Sequence, residues 1–269
     1  MDPEQKLKRL EEILQQAGSV AVAFSGGVDS AFLLWAAHKT LGKNTAAITV
    51  TGEMVSPLDV ASAEEFIKLY PVPQYCIPVD ILSLKEFCEN TPERCYFCKR
   101  FLFERILEKA KSLHMNVAEG STLDDLNDFR PGRKALNELG IHSPLMEAGL
   151  TKKEIRLLSR QNHLPTWDKP SCACLASRIP YGTEITKENL TQVRLAETYL
   201  YSLGIRQLRV RHHGTVARIE TDETGFAVIS QHRKEVAEKL KTLGFSYVSL
   251  DLEPYETGSM NKTISKIDS

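Results

Sequence analysis

The stretch from Val20 to Leu41 constrains the chain more than any other. An apolar run of strand length, Val-Ala-Val-Ala-Phe, ends at Phe24, and Ser25-Gly26-Gly27-Val28-Asp29-Ser30 follows. A helix is then expected over Asp29 to Leu41, with Ala, Phe, Leu and Trp on its buried side. Two adjacent glycines let the backbone turn sharply and approach a ligand closely. The helix start behind them presents unpaired N–H groups and the positive end of its dipole. Together these features make an anion cradle, to which Ser25 and Ser30 add hydroxyl donors. Asp29 would repel a phosphate, so its expected task is to hold Mg²⁺ or to cap the turn. The bland alternative is a tight strand-to-helix turn, and a bare Gly-Gly would favour it. The full hexapeptide between a strand and a helix is far more specific and points to ATP, although the Walker pattern Gly-x-x-x-x-Gly-Lys-Ser/Thr is absent.

Around this segment strands and helices alternate. Further strands are expected at Ala46–Val50, Tyr75–Val79 and Asn116–Glu119, and helices at Lys6–Gln16, Pro57–Leu69, Thr91–Leu113 and Lys152–Gln161. Such alternation predicts an α/β fold, a parallel sheet with helices on both faces, over residues 1–165. Residues 166–185 are rich in Pro, Ser, Cys and Gly without periodicity and are expected to form a functional loop or linker. A small α+β domain is expected over 186–257, with helices at Leu190–Leu203 and Glu235–Leu243 and strands at Gln207–His212, Val216–Ile219 and Tyr247–Leu252. Residues 258–269 form a polar tail.

Composition narrows the classes. A net charge of −1 shows no basic excess of the kind nucleic-acid partners select. No apolar run approaches the length of a membrane span, and the N-terminus lacks signal architecture, so a cytoplasmic protein is expected. Six cysteines in a reducing compartment point to metal binding or catalysis more than to disulfides. Cys76 and Cys88 stand among apolar neighbours and are expected to be buried. Cys95/Cys98 and Cys172/Cys174 form two tight pairs.

Cys174 lies in Lys169-Pro170-Ser171-Cys172-Ala173-Cys174-Leu175-Ala176-Ser177-Arg178. Positive charge on Lys169 and Arg178 would favour its thiolate, a strong nucleophile toward an acyl-adenylate. Further on, Leu208 and Val210 alternate with Arg209 and Arg211, which predicts one apolar and one cationic strand face. Such a face is either solvated or a site for a substrate phosphate, which Arg binds in bidentate fashion. Glu197 could face the same site or the surface. Asp124, Asp125, Asp128 and Arg130 follow the fourth strand and are open to metal binding, substrate positioning or simple exposure.

The hexapeptide resembles the loop of the PP-loop (N-type ATP pyrophosphatase) superfamily. That resemblance implies ATP cleavage between the α- and β-phosphates, with Ser25, Gly26, Gly27, Asp29 and Ser30 on the nucleotide and the adenine near Thr49 and Thr51. The whole chain resembles the ATP-dependent sacrificial sulfur transferase family, LarE. The features shared are the loop, Glu119-Gly120-Ser121-Thr122 with Asp124-Asp125 and Arg130-Pro131-Gly132, Cys174-Leu-Ala-Ser-Arg-Ile-Pro-Tyr-Gly182, and Leu208-Arg-Val-Arg211 with His212-His213. The resemblance implies adenylation of a carboxylate of pyridinium-3,5-biscarboxylic acid mononucleotide and its conversion to the bisthiocarboxylic form for the nickel-pincer cofactor of lactate racemase. It places Cys174 as the sulfur-donating cysteine and Gly120, Arg209 and Arg211 at bound nucleotide, and it implies a homo-oligomer.

The extra cysteines depart from the single-cysteine pattern. Some family members with extra cysteines bind a [4Fe–4S] cluster, and that resemblance favours a cluster here, with Cys95, Cys98, Cys172 and Cys174 supplying three or four ligands and an external sulfide donor added. A zinc site from the same thiols, or four metal-free thiols, are the alternatives. At the level of function the competing readings are a tRNA-thiolating PP-loop enzyme, an ATP-dependent amide synthetase and a non-catalytic metal-binding scaffold.

Overall fold

The computed structural model describes residues 1–126, 131–170 and 173–256. These fall into two compact units. The first comprises Met1–Gly52, Leu58–Val79 and the described part of Cys95–Cys172; the second comprises Glu53–Pro57, Asp80–Arg94 and the described part of Ala173–Ser269.

In chain order the regular elements are α1 (Pro3–Ala17), β1 (Val20–Ala23), α2 (Val28–Leu41), β2 (Thr45–Thr51), α3 (Pro57–Leu69), β3 (Gln74–Pro78), α4 (Lys85–Cys88), α5 (Arg94–Ser112), β4 (Asn116–Ala118), α6 (Pro131–Glu138), α7 (Pro144–Glu147) and α8 (Lys152–Gln161). They continue with α9 (Lys187–Ser202), β5 (Leu208–His213), β6 (Val216–Thr221), α10 (Glu223–Gln231), α11 (Arg233–Thr242) and β7 (Tyr247–Leu250).

The first unit is built on a parallel sheet of order β3-β2-β1-β4. Successive strand residues point to opposite faces, and β1 shows the consequence. Val20 and Val22 join a core with Phe32 and Leu33 of α2, Phe66 of α3 and Ile155 and Leu158 of α8. Ala21 lies on the other face with Ile48 of β2, Phe103, Ile106 and Ala110 of α5 and Leu136 of α6. Burial on both sides explains why β1 reads as an unbroken apolar run. The expected α/β fold with helices on both faces is therefore the observed one. The helix expected from Thr91 begins at Arg94 instead. Thr91 lies just ahead of it, its carbonyl accepting from the Arg94 amide at 2.9 Å.

Cys76 was expected to be buried, and it is exposed. It lies on β3, the edge strand, and shares its face with exposed Pro78, while Tyr75 and Ile77 point to the half-buried side. Cys88 is half-buried, and its thiol donates to the Leu82 carbonyl at 3.3 Å. Burial, then the charges of Glu184 and Asp80, push this thiol up from its ordinary pKa.

In the second unit β5 and β6 form an antiparallel hairpin through Gly214, and β7 pairs in parallel with β6. Parallel pairing requires a crossover, and α10 and α11 supply it. Ala196 and Leu200 of α9, Ile229 of α10, and Val236 and Leu240 of α11 cover Leu208, Val210, Ala217 and Ile219 of the sheet. The sequence reading missed α10. Gly225 inside it lowers helix propensity, yet any side chain there would meet Thr221 Oγ1 at 2.0 Å.

Candidate active site

At the carboxyl end of β1 the chain enters Ser25–Ser30. Gly26 has φ +73°, and a Cβ on it would lie 2.7 Å from the Asp59 carbonyl oxygen and 2.9 Å from the Ala63 amide of α3. Gly27 has ordinary extended backbone at the N-cap of α2, and a Cβ there would meet just Ser25 Oγ at 3.4 Å. The two glycines thus do different work. Gly26 permits close packing against α3, and Gly27 leaves the helix start open.

The loop is tied to itself. The Ser25 amide donates to Ser30 Oγ at 3.3 Å, the two hydroxyls lie 3.1 Å apart, and Ser30 Oγ donates to the Gly27 carbonyl at 3.2 Å. The first bond within α2 runs from the Ala31 amide to the Gly27 carbonyl, so the amides before it face outward from the helix end. Asp29 sits in that first turn. Gly120, after β4, is the second wall: a Cβ on it would lie 3.0 Å from the Ser30 amide. Glu119 is buried beside it, accepting from the Ser121 amide at 3.0 Å and from Ser143 Oγ at 2.6 Å. The structure therefore brings Ser25, Gly26, Gly27, Asp29, Ser30 and Gly120 together. Thr49 and Thr51 lie at the same carboxyl edge of the sheet, on β2 next to β1; Thr49 is buried and accepts from Gln74 Nε2 at 3.1 Å.

The sequence reading missed the cation beside this loop. Lys169 was read as a neighbour of Cys174 along the chain. Its Nζ donates to the Gly26 carbonyl at 2.9 Å and to Asp59 Oδ1 at 3.0 Å. Nothing local in the sequence marks that reach of 143 residues. Asp124 and Asp125 turn out to be capping groups. Asp125 is buried and accepts from the amide and hydroxyl of Thr122, and Asp124 accepts from the Lys152 amide at the start of α8. Asp128 and Arg130 lie outside the described residues.

In the second unit Cys174 is exposed and precedes a 3₁₀ turn over Leu175–Arg178. Arg178 follows on that turn, almost wholly buried, and forms a two-point pair with Glu197 of α9 at 2.8 and 3.0 Å. Its remaining guanidinium nitrogen donates to the carbonyls of Ala173 at 2.7 Å and Cys174 at 3.2 Å. Burial alone would lower the Arg178 pKa; the charge and hydrogen bonds of Glu197 outweigh it and raise the pKa, and the charge interaction reaches Cys174 as well. Glu197 balances the charge of Arg178, and Arg178 also holds the Cys174 backbone. The far side of the loop is held by Asn90, fully buried, whose amide nitrogen donates to the carbonyls of Pro180 at 2.7 Å and Thr183 at 2.8 Å. Arg94 bridges Asn90 Oδ1 to the Ala176 carbonyl.

The cationic face expected on β5 is neither solvated nor open. Arg209 and Arg211 are both buried. Arg211 pairs with Glu220 of β6 at 2.9 Å and donates to the Ser177 carbonyl at 3.0 Å. Arg209 donates to the Leu208 carbonyl and lies 4.7 Å from the centre of the Tyr255 ring. Glu197 also accepts from the Val210 amide at 3.0 Å, so it ties α9 to both the sheet and the Cys174 turn.

Cys95 and Cys98 lie one turn apart at the start of α5, both half-buried. Cys172 lies outside the described residues. Among the described residues no three or more His, Cys, Asp or Glu side chains are grouped to hold a metal ion, and no helix is long and apolar enough to cross a membrane.

No family model matches the chain. It is similar along nearly its whole length to curated proteins. An uncharacterised protein of Synechocystis is 37% identical over 98% of this chain and 99% of its own length. An uncharacterised protein of Methanocaldococcus jannaschii is 28% identical over 88% and 91%. The pyridinium-3,5-bisthiocarboxylic acid mononucleotide synthase of Lactiplantibacillus plantarum is 35% identical over 97% of this chain and 95% of its own. A likeness of that extent, in a chain with this sheet, this glycine loop and this exposed cysteine, places the protein in the family of the pyridinium-3,5-bisthiocarboxylic acid mononucleotide synthases, the LarE family.

Proposed function

We propose that the chain uses ATP to adenylate a carboxylate of pyridinium-3,5-biscarboxylic acid mononucleotide and exchanges the activated oxygen for sulfur. The product is the bisthiocarboxylic mononucleotide used for the nickel-pincer cofactor of lactate racemase. The observation that carries this reading is one chain of this family holding both a glycine loop at a helix start and an exposed thiol on a rigidly held turn. The substrate carboxylate attacks the α-phosphorus and pyrophosphate leaves into the cradle formed by the first-turn amides of α2 with Ser25 and Ser30. Asp29 holds Mg²⁺, and Thr49 and Thr51 border the adenine. Cys174 Sγ attacks the acyl carbon and AMP leaves, giving a thioester. Loss of the Cα proton and cleavage of the Cβ–S bond then release the thiocarboxylate and leave dehydroalanine at position 174. Arg209 and Arg211 bind the substrate phosphate by exchanging their present partners for it.

A second sulfur source is favoured by Cys95 and Cys98, two thiols on one face of a helix start. Thiolates are the usual ligands of a [4Fe–4S] cluster, and these two with Cys172 and Cys174 would hold one. Such a cluster supplies inorganic sulfide and spares the polypeptide. Incubation with ATP, Mg²⁺ and the biscarboxylic mononucleotide tests both readings. Substrate-dependent pyrophosphate release and a sulfur-bearing product are expected. Intact mass then separates the sources: a loss of about 34 Da per protein marks a sacrificed cysteine. Unchanged mass with iron and acid-labile sulfide in anaerobically prepared protein marks a cluster. ATP-dependent thiolation of co-purified tRNA, with no reaction on the mononucleotide, would overturn the assignment.

A further inference from the structure

Lys169 has no part in the steps above, yet it touches the phosphate loop directly. Its ammonium is largely buried, with 17% of the side chain exposed, and it sits between the Gly26 carbonyl and Asp59, whose side chain is 16% exposed. Gly26 O also accepts from Ser62 Oγ at 3.3 Å. Lys169 thus rests between two acceptors at the edge of the loop.

The backbone of Lys169 is pinned. Arg156 of α8 donates to the Trp167 carbonyl at 2.8 Å and to the Lys169 carbonyl at 2.7 Å, and the Lys169 amide donates to Thr166 O at 3.1 Å. Motion is therefore confined to the side chain. A lysine ammonium is a compact charge with three rotatable donors on a flexible stem, suited to exchanging one anionic partner for another. Two of those donors are spent on Gly26 O and Asp59. Gly26 is the neighbour of Gly27, the N-cap whose helix start forms the cradle, so the shift required is a swing of the stem's end.

We propose that Lys169 is the transferable cation of the phosphate loop. In the empty loop Asp59 and the Gly26 carbonyl park it; when ATP binds, it moves to the β- and γ-phosphates and stabilises the departing pyrophosphate, and Asp59 draws it back once pyrophosphate leaves. The inference rests on the reading of the loop as an ATP site. Asp59 competes with phosphate for the same cation, so the two residues should act on affinity in opposite directions.

The test is calorimetric titration of the intact protein with inorganic pyrophosphate and, separately, with AMP, in EDTA so that Asp59 cannot act through a divalent ion. Lys169→Met is expected to weaken pyrophosphate binding at least tenfold and leave AMP binding unchanged. Lys169→Arg should recover part of that loss, and Asp59→Asn should tighten pyrophosphate binding severalfold. Melting curves confirm that each variant is folded, and Asp59→Asn keeps the lysine in place should Lys169→Met not fold. Pyrophosphate binding within twofold of wild type in Lys169→Met, an equal loss for AMP, or weakened binding in Asp59→Asn overturns the proposal while leaving the ATP site standing. Where wild-type binding needs Mg²⁺ the same comparisons are made with it present, and failure of the wild type to bind both pyrophosphate and ATP even then overturns the ATP site and this proposal together.

Discussion

The loop at Ser25–Ser30 is shaped by backbone geometry and its own hydroxyls, with distant Lys169 and Ser62 bonding the Gly26 carbonyl, whereas the turn at Ala173–Arg178 is held mainly by charged and amide side chains. In the first, the constraint is what is missing: Gly26 lacks a Cβ where one would strike α3, and Gly120 lacks one where it would strike Ser30. In the second, the constraint is what is present: Arg178, Glu197, Asn90 and Arg94, all buried, each bonding to the turn or to a residue that does. A site for a ligand's phosphates needs backbone donors left open. A site that presents one nucleophile needs its own backbone fixed. The two loops accordingly should fail in different ways when damaged.

The largest effect is expected at Gly26. Gly26→Ala adds a Cβ at a left-handed φ of +73° and within 2.7 Å of backbone that belongs to a helix and cannot yield cheaply. The strain alone costs roughly 1–2 kcal/mol, and relief of the clash displaces the loop from α3. Pyrophosphate release should fall by at least about a hundredfold, as expected for misplacement of a positioned site. Gly27→Ala, with extended backbone and an ordinary 3.4 Å contact, should keep most of the activity. A Gly26→Ala enzyme as active as Gly27→Ala would falsify the distinction drawn between the two glycines.

The next effect separates stability from chemistry in the Cys174 turn. Arg178 and Glu197 are 2% and 3% exposed, so removing one partner strands a buried charge. Arg178→Met should cost about 3–5 kcal/mol in urea denaturation, and adding Glu197→Leu should restore a large part of it. The double variant still lacks the donor to the Ala173 and Cys174 carbonyls. Its sulfur transfer should therefore stay impaired while substrate-dependent pyrophosphate release persists. Recovery of sulfur transfer along with stability would reduce the pair to a fold element and erase the contrast with the glycine loop.

How much of each loop was legible in the sequence follows from the same contrast. The Ser25–Ser30 site could be read because its causes are local: an apolar run, two glycines and a helix pattern within about twenty residues. Gly120 was legible as part of a motif, but its reason, the approach to Ser30, was not. The Cys174 turn could be located from its cysteines, yet what holds it could not. The alternation at Leu208–Arg211 correctly placed a strand and two faces, but Glu220 lies across the hairpin, so the second face is buried, with Arg211 paired to Glu220. Lys169 shows the limit most plainly. Nothing near it in sequence marks the bonds of its Nζ to Gly26 and Asp59.

The smallest effect expected is a pH dependence that arises at one histidine of the second unit. His212 on β5 is buried; its Nε2 lies 2.8 Å from Gln192 Oε1, and its ring lies 5.4 Å from that of Phe245. Nδ1 is buried without a partner of hydrogen-bond geometry among the described residues. Burial pushes the His212 pKa down, and the residue's own backbone offsets this in part. Protonation would place a second N–H at Nδ1 with no good acceptor, so the folded state favours the neutral ring. The unfolded chain takes up the proton near the ordinary value of about 6.5. Stability from this residue is therefore present in full above that pH and is lost as pH falls toward the depressed folded value. A His212→Gln variant should flatten the stability profile between neutral pH and about pH 5, where carboxylates begin to contribute. An NMR titration placing the His212 transition at or above the ordinary value would break the prediction.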